Sequence, residues 1–261
     1  MIWHPGYAPE YFHLFTDTLS LLIGGIYYTY LYNKSSKEQK ISDTRIDASL
    51  RRILILIGAA LGALIGSRLI ASLEYPSLFF NPPSLFFYFS VKTVAGGIAG
   101  GILGVEILKK LLRIKESTGD IMVGPIALGI IVGRFGCFML GVRDHTVGIV
   151  SSLPWAFNQG DGTPRHPTSL YEILIVLVLW ILIELYKRKK IQTFPLGSGL
   201  YFRLFIVGYF LFRFFVEFIK PVYPILLGLT AIQWTSALVI LSYGFSILRI
   251  YRKVRISNFA R

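Results

Sequence analysis

Three arginines stand at positions where a membrane-like sequence is expected to be apolar. Arg68 and Arg134 each interrupt a long hydrophobic run, and Arg213 lies in a third run between Tyr209 and Glu217. Ionisable residues are costly in hydrocarbon, so in such runs they mark functional sites. A guanidinium group matches phosphate oxygens with two parallel hydrogen bonds. Three of these groups on separate runs predict an anionic ligand between helices.

Tyr209, Arg213 and Glu217 are spaced four residues apart, so they form one stripe along a helix. Two interpretations of this stripe stay open. In the first, Arg213 and Glu217 neutralise each other and have a structural role. In the second, the arginine, the carboxylate and the phenol together bind and cleave at a phospholipid headgroup.

A second concentration of polar residues lies in the stretch 133–172, between two hydrophobic runs. Its histidines, His145 and His166, either carry a proton near neutral pH or form hydrogen bonds at the membrane interface. The acidic residues and histidines of this stretch show no metal-ligand spacing, so no metal is predicted. Cys137 is expected to be a small apolar filler. As the only cysteine of the chain, it excludes an internal disulfide and a Cys-based zinc site.

The composition predicts that membrane helices hold these residues. Hydrophobic residues make up 54% of the chain and charged residues 16%. Several apolar runs are about 20 residues long, which is the length needed to cross the hydrocarbon core. The formal net charge of +13 comes from basic blocks beside these runs, as contact with anionic lipid requires. Membrane lipid is therefore the expected partner, and nucleic acid is not.

Seven transmembrane helices are predicted, in a single polytopic membrane domain that covers residues 1–261. Basic blocks follow the first, third, fifth and seventh apolar runs. The positive-inside rule then puts the N-terminus outside and the C-terminus in the cytoplasm, and the loop region 142–167 faces the outer side. The expected fold is an all-α integral membrane protein with spans at 14–32, 53–73, 91–112, 121–141, 168–186, 196–219 and 225–250.

The third of these spans is rich in glycine. Gly96, Gly100 and Gly104 follow one another at intervals of four residues, which leaves a smooth helix face. Another helix backbone or a lipid chain can approach such a face closely.

Four segments in the same order resemble the prolipoprotein diacylglyceryl transferase family. Gly133-Arg134-Phe135-Gly136 resembles its Gly-Arg-x-Gly signature, and residues 165–172 resemble its Arg-His-Pro-Ser-Gln-Leu-Tyr-Glu segment. Residues 208–218 resemble its Gly-Tyr-x-x-Phe-Arg-x-x-Val-Glu-Phe segment, and Gly100-Gly101 resembles the end of its His-Gly-Gly helix. Arg68 is similar in position to its second-helix arginine.

The chain departs from the family pattern at three of these places. The family's histidine before Gly-Gly is Ala99 here, and the asparagine after Gly-Arg-x-Gly is Cys137. The glutamine before Leu-Tyr-Glu is Ser169. The resemblance is therefore to a diverged member, in which the phosphate-handling arginines are kept and the expected base is replaced.

The resemblance implies a transferase of the bacterial cytoplasmic (inner) membrane, crossing it several times. Its partners would be phosphatidylglycerol and a prolipoprotein, and no cofactor is expected. The diacylglyceryl group of phosphatidylglycerol would move onto a prolipoprotein cysteine thiol, with release of glycerol phosphate. The candidate catalytic residues are Arg213, Glu217, Tyr209, His166 and His145, and the candidate phosphatidylglycerol-binding residues are Arg134, Arg68, Gly133, Arg165 and Glu172.

Two alternatives remain open. The chain is a diverged member that uses a different acceptor, or it is a non-catalytic membrane protein that binds or translocates phospholipid. Release of glycerol phosphate would select an enzyme over the lipid-binding protein.

Overall fold

The computed structural model describes residues 8–38, 46–74, 92–114, 117–144, 146–190, 198–221 and 224–259. Within these residues the chain forms seven α-helices: α1 (Glu10–Glu38), α2 (Ile46–Glu74), α3 (Val94–Leu111), α4 (Val123–Leu140), α5 (Thr168–Lys190), α6 (Leu200–Val216) and α7 (Ala231–Phe259). Short 3-10 turns cover Asp120–Met122, Gly141–Asp144 and Glu217–Ile219. Two short strands, β1 (Phe157–Asn158) and β2 (Pro164–Arg165), pair antiparallel in the loop between α4 and α5.

The prediction of an all-α protein with membrane-spanning helices is confirmed. Within the described part of the chain, four helical segments are long and apolar enough to cross a membrane. They are Leu50–Glu74, Asp120–Asp144, Thr168–Lys189 and Ala231–Arg252. These segments coincide with the predicted spans at 53–73, 121–141, 168–186 and 225–250.

The other three helices are shorter or more polar. The 18 residues of α3 include Glu106, Lys109 and Lys110. Helix α6 has 17 residues, and α1 contains Asp17 together with a run of tyrosines near its end. Length and composition therefore do not by themselves mark these three helices as spans.

Two predicted spans begin later than expected because of local turns. Helix α6 starts at Leu200 because Gly199 has a φ of 75°, which does not continue a helix. The carboxylate of Asp120 then accepts hydrogen bonds from the first turn, from Gly199 N at 2.8 Å and Phe202 N at 3.0 Å. Helix α7 starts at Ala231, after a tight turn in which Gly228 has a φ of 74°.

The chain divides into two compact units. The first unit consists of Met1–Glu38, Ser117–Pro221 and Tyr243–Arg261. In it α1 packs along α4, α4 packs along α5, and α5 packs against α6. Its fully buried side chains include Phe205 and Phe210 of α6, and it contains most of the predicted site residues.

The second unit consists of Gln39–Glu116 and Val222–Ser242, and in it α2 packs along α3. A Cβ atom on Gly96, Gly100 or Gly104 would collide with a backbone oxygen of α2. The interpretation of these glycines as a helix-packing face is therefore confirmed. Their partners are three glycines of α2 at the same spacing, Gly58, Gly62 and Gly66.

Candidate functional site

Glu172, in the second turn of α5, joins residues from two other helices. Arg134 of α4 places its Nε 2.9 Å from Glu172 Oε2. Arg213 of α6 donates from Nη1 to the same oxygen at 3.0 Å, and the hydroxyl of Tyr209 donates to Oε1 at 2.7 Å. All four side chains are buried. One carboxylate therefore brings together residues that the sequence places far apart.

A second buried carboxylate extends this network. Glu217 Oε1 accepts from Arg213 Nη2 at 2.5 Å and lies 3.5 Å from Lys220 Nζ. Arg213 and Glu217 thus form the ion pair that the first interpretation of the helix stripe expects. The network of Arg134, Arg213, Lys220, Glu172 and Glu217 holds three cations and two carboxylates, which leaves one positive charge in excess.

Lys220 was missed by the sequence analysis. It follows Glu217 by three residues, a spacing that puts two side chains on one face of a helical turn. Its position next to Pro221, at the end of a predicted span, indicated a loop residue. The 3-10 turn Glu217–Ile219 instead brings its ammonium group back to the network.

The hydrogen-bonding capacity of this network is not used up by the described residues. Among them, Arg213 Nε and Glu217 Oε2 are buried and have no hydrogen-bond partner. Arg134 Nε is close to Glu172, but the pair is not aligned as a hydrogen bond. A buried polar atom that lacks a partner costs about 1–3 kcal/mol. Each guanidinium group therefore keeps an Nε donor that is not used within the described residues.

The two glycines of the Gly-Arg-x-Gly signature, Gly133 and Gly136, differ in how closely other residues pack against them. A Cβ atom on Gly136 would collide with the hydroxyl of Thr16, so this glycine lets α1 pack closely against α4. A Cβ atom on Gly133 would meet nothing within 4 Å. Close packing by the described residues therefore does not explain Gly133, which is half-buried beside Arg134.

His166 lies just before α5, in contact with Tyr171. Its Nδ1 is 3.1 Å from the hydroxyl oxygen of Tyr171, which also accepts a hydrogen bond from Trp155 Nε1 at 2.8 Å. If Nδ1 carries the ring hydrogen and donates to that oxygen, Nε2 is left as a proton acceptor. This tautomer suits a general base.

The backbone around His166 connects it to the turn that carries Glu217. Gly148 N donates to His166 O at 3.0 Å, and the next residue, Ile149, donates from N to Ile219 O at 2.9 Å. Ile219 ends the 3-10 turn that begins at Glu217. The segment 148–149 thus ties the candidate base to the turn of the arginine network.

Arg165 is not part of the network around Glu172. It lies in β2, and its Nε donates to Asp161 Oδ2 at 2.7 Å in the turn between the two strands. This hydrogen bond from Arg165, with a second one from the backbone N–H of Thr163, lowers the pKa of the Asp161 carboxyl. Both side chains are partly exposed.

Two predicted site residues lie elsewhere. Arg68 belongs to the second unit, on α2, where its Nη1 donates to Ser67 Oγ at 3.0 Å. His145 lies outside the described residues.

Cys137 is buried, but it is not the apolar filler that was expected. Its sulfur accepts a hydrogen bond from Arg134 Nη1 at 3.6 Å and lies 3.6 Å from His13 Nε2. The same imidazole nitrogen is 3.0 Å from Asp144 Oδ1. Within the described part of the chain, His13, Cys137 and Asp144 form a group that can hold a metal ion. The sequence analysis missed this mixed group, because it compared ligand spacings only within the stretch 133–172. His13 lies 124 residues from Cys137, outside that stretch.

Comparison with known proteins identifies the family of this chain. Residues 14–249 match the family model described as prolipoprotein diacylglyceryl transferase. A Bordetella parapertussis protein named phosphatidylglycerol–prolipoprotein diacylglyceryl transferase is 32% identical over 72% of this chain and 73% of its own length. Proteins of the same name from Idiomarina loihiensis and Photobacterium profundum are 33% and 31% identical, over 69% and 77% of this chain and 67% and 74% of their own lengths. The chain belongs to the prolipoprotein diacylglyceryl transferase family.

Proposed function

We propose that this protein moves the diacylglyceryl group of phosphatidylglycerol onto the cysteine thiol of a prolipoprotein and releases glycerol phosphate. Its family and the names of its relatives support this reaction. The observation that carries the proposal is the pair of buried guanidinium groups, Arg134 and Arg213, that share Glu172 and keep unused donor capacity. The departing group in this reaction is a phosphate, which such a pair can stabilise.

Arg134 and Arg213 hold the phosphate of the lipid donor and stabilise the negative charge that develops when the glycerol phosphate leaves. Glu172 and Tyr209 position the two guanidinium groups, and Glu217 with Lys220 sets the net charge around them. Gly133 leaves room for the lipid beside Arg134. Arg68 and Arg165 are further proposed contacts of the phospholipid, because of the family resemblance and their positions in the sequence.

His166 is the proposed general base for the acceptor thiol. Tyr171 fixes its ring through Nδ1 and leaves Nε2 free to accept the proton. The backbone link through Ile149 to the Glu217 turn supports this assignment, because it ties the base to the phosphate network. His145, which the sequence offers as the second candidate, stays a prediction.

The proposed setting is the bacterial cytoplasmic (inner) membrane. We infer seven spans in a single polytopic domain, with the N-terminus outside, the C-terminus in the cytoplasm and the loop region 142–167 on the outer side. The alternation of basic blocks along the sequence supports this topology.

The test of this function has a binding part and a turnover part. Arg134→Lys keeps the charge but loses the planar fork, so phosphatidylglycerol should bind about tenfold or more weakly to this variant. Arg188→Lys, at the end of α5, is the control and should bind as the wild type does. If Arg134→Lys and Arg213→Ala both leave binding unchanged, the donor site is wrong.

Turnover separates the enzyme from the alternatives. The wild-type chain should restore lipoprotein modification in cells depleted of their own transferase. If the wild-type chain inserts normally and releases glycerol phosphate but does not restore lipoprotein modification, the acceptor is a different molecule. Binding of phosphatidylglycerol with no release of glycerol phosphate would identify a lipid-binding protein instead.

A further inference from the structure

Three side chains bring a nitrogen, a sulfur and an oxygen together next to the arginine network. His13 of α1, Cys137 of α4 and Asp144 of the following 3-10 turn each offer one such atom, all within 4.8 Å of one another. His13 and Asp144 keep 16% and 11% of their side-chain surface exposed. The group is therefore shielded from bulk water but still accessible at its edge.

Two of the three separations lie near those of a tetrahedral zinc site, and the third is within 4.8 Å. With Zn–S near 2.3 Å and Zn–N and Zn–O near 2.1 Å, neighbouring ligand atoms are about 3.4–3.6 Å apart. The 3.6 Å between Cys137 Sγ and His13 Nε2 already agrees, and His13 and Asp144 would have to separate by about 0.4 Å. A thiolate and a carboxylate also neutralise a divalent cation, which matters where the local dielectric is low.

Two neighbouring residues, Asp17 and Arg134, contact the ligand side chains and orient them. Asp17 Oδ2 lies 3.0 Å from His13 Nδ1, the ring nitrogen that faces away from the sulfur. A carboxylate in this position fixes the ring orientation and tautomer of a metal-bound histidine. Arg134 Nη1 donates to Cys137 Sγ at 3.6 Å and so orients the sulfur of this ligand.

We propose that His13, Cys137 and Asp144 bind a zinc-class divalent cation whose fourth position takes the acceptor thiol. This inference rests on the proposed function, because the acceptor there is a cysteine thiol. Structural zinc sites use four protein ligands, whereas catalytic sites have three and keep one position open. A thiol that coordinates such a metal is deprotonated. The metal thus supplies a thiolate in a chain where Ala99 and Cys137 replace the family's histidine and asparagine.

The transfer step needs no reactant besides the thiol and the lipid. Coordination breaks the S–H bond of the acceptor, and the proton goes to His166 and from there to water. The sulfur then uses an electron pair to form the S–C bond to the diacylglyceryl group. The C–O bond to the phosphate breaks, and its electron pair leaves with the glycerol phosphate, whose charge Arg134 and Arg213 stabilise.

Co²⁺ is the probe for the site, because it occupies zinc sites and gives a charge-transfer absorption band when a thiolate binds it. Cys137 is the only cysteine of the chain, so the band of the purified protein reports on this site alone. We expect one Co²⁺ per chain, with the band lost in Cys137→Ala. Asp17→Asn should weaken Co²⁺ binding about 10- to 100-fold.

The control for these titrations is Asp161→Asn, a carboxylate of the β1–β2 turn outside the group. It should bind Co²⁺ as the wild type does. If Cys137→Ala does not fold, the Asp17→Asn titration decides, because it leaves all three ligands in place. The proposal is wrong if the wild-type protein gives no thiolate band, or if the band persists in Cys137→Ala. In that case His13 only bridges Asp17 and Asp144.

A synthetic prolipoprotein peptide separates this inference from the proposed function. If its thiol takes the fourth position, the band of the Co²⁺-loaded protein grows when the peptide is added, and a peptide with serine in place of cysteine has no effect. A band that does not change overturns the thiol role. Full transferase activity in Cys137→Ala also overturns the inference and leaves the proposed function standing. A growing band with no product after addition of phosphatidylglycerol supports the inference and rejects the proposed reaction.

Discussion

Glu172→Gln tests the arginine network through its shared carboxylate. Glutamine keeps the side-chain volume and an oxygen that can accept from Tyr209. It removes the charge that Arg134 Nε and Arg213 Nη1 approach at 2.9 and 3.0 Å. Removing one partner of a buried ion pair costs about 3–5 kcal/mol, because the other charge is left uncompensated. We expect the free energy of unfolding to fall by about this amount.

The assay is chemical unfolding of the purified protein in detergent micelles, with and without phosphatidylglycerol. A lipid phosphate at the network would replace part of the lost negative charge, so phosphatidylglycerol should stabilise Glu172→Gln more than it stabilises the wild type. Phosphatidylcholine, whose headgroup carries no net charge, is the control lipid.

Glu184→Gln is the matched control on the same helix. Glu184 pairs with Lys187 at 3.1 Å, but its side chain is 38% exposed. An exposed pair of this kind is worth about 0–1 kcal/mol. If Glu172→Gln destabilises no more than Glu184→Gln, the ion pairs of the network contribute little. If phosphatidylglycerol stabilises wild type and Glu172→Gln equally, the phosphate binds elsewhere.

Three other predictions concern topology, packing and the base. In a cysteine-free background, a cysteine at Asp161 should react with an impermeant reagent added outside and one at Lys189 should not; the reverse pattern would reject the proposed orientation. Gly100→Ala should destabilise the protein far more than Gly97→Ala in the same unfolding assay. Its Cβ would collide with a backbone oxygen of α2, whereas the nearest atom to a Cβ on Gly97 is 3.6 Å away; equal stability of the two variants would contradict this packing. His166→Ala should lower turnover by about 10²–10⁴-fold with little change in donor affinity, and unchanged turnover would remove His166 as the base.

The sequence predicts the helices and every residue of the arginine network except Lys220, for a physical reason. Charged residues are rare in apolar runs, so Arg134, Arg213 and Glu217 are conspicuous without any structure. The spacing of four residues also predicts correctly that Tyr209 and Arg213 share a helix face. What spacing does not show is that both residues, together with Arg134, meet at Glu172.

Contacts between distant segments could not be predicted from periodicity. His13 lies near the start of the first helix, with no motif around it, and only the packing of α1 on α4 brings it to Cys137. The role of Asp120 as the cap of α6 depends in the same way on a contact across 79 residues. Helix starts at Leu200 and Ala231 were misjudged, because the backbone angles of Gly199 and Gly228, rather than hydropathy, decide them.

Mass spectrometry of a reaction with purified components tests the proposed transfer directly. Wild-type protein, phosphatidylglycerol and a prolipoprotein peptide should yield a peptide whose cysteine carries a diacylglyceryl thioether, together with an equal amount of free glycerol phosphate. Arg213→Ala, assayed in parallel, should yield neither product above background, because the leaving phosphate loses one of its two guanidinium partners. If a folded wild-type protein binds the lipid but yields only unmodified peptide and no glycerol phosphate, the proposed transfer is wrong.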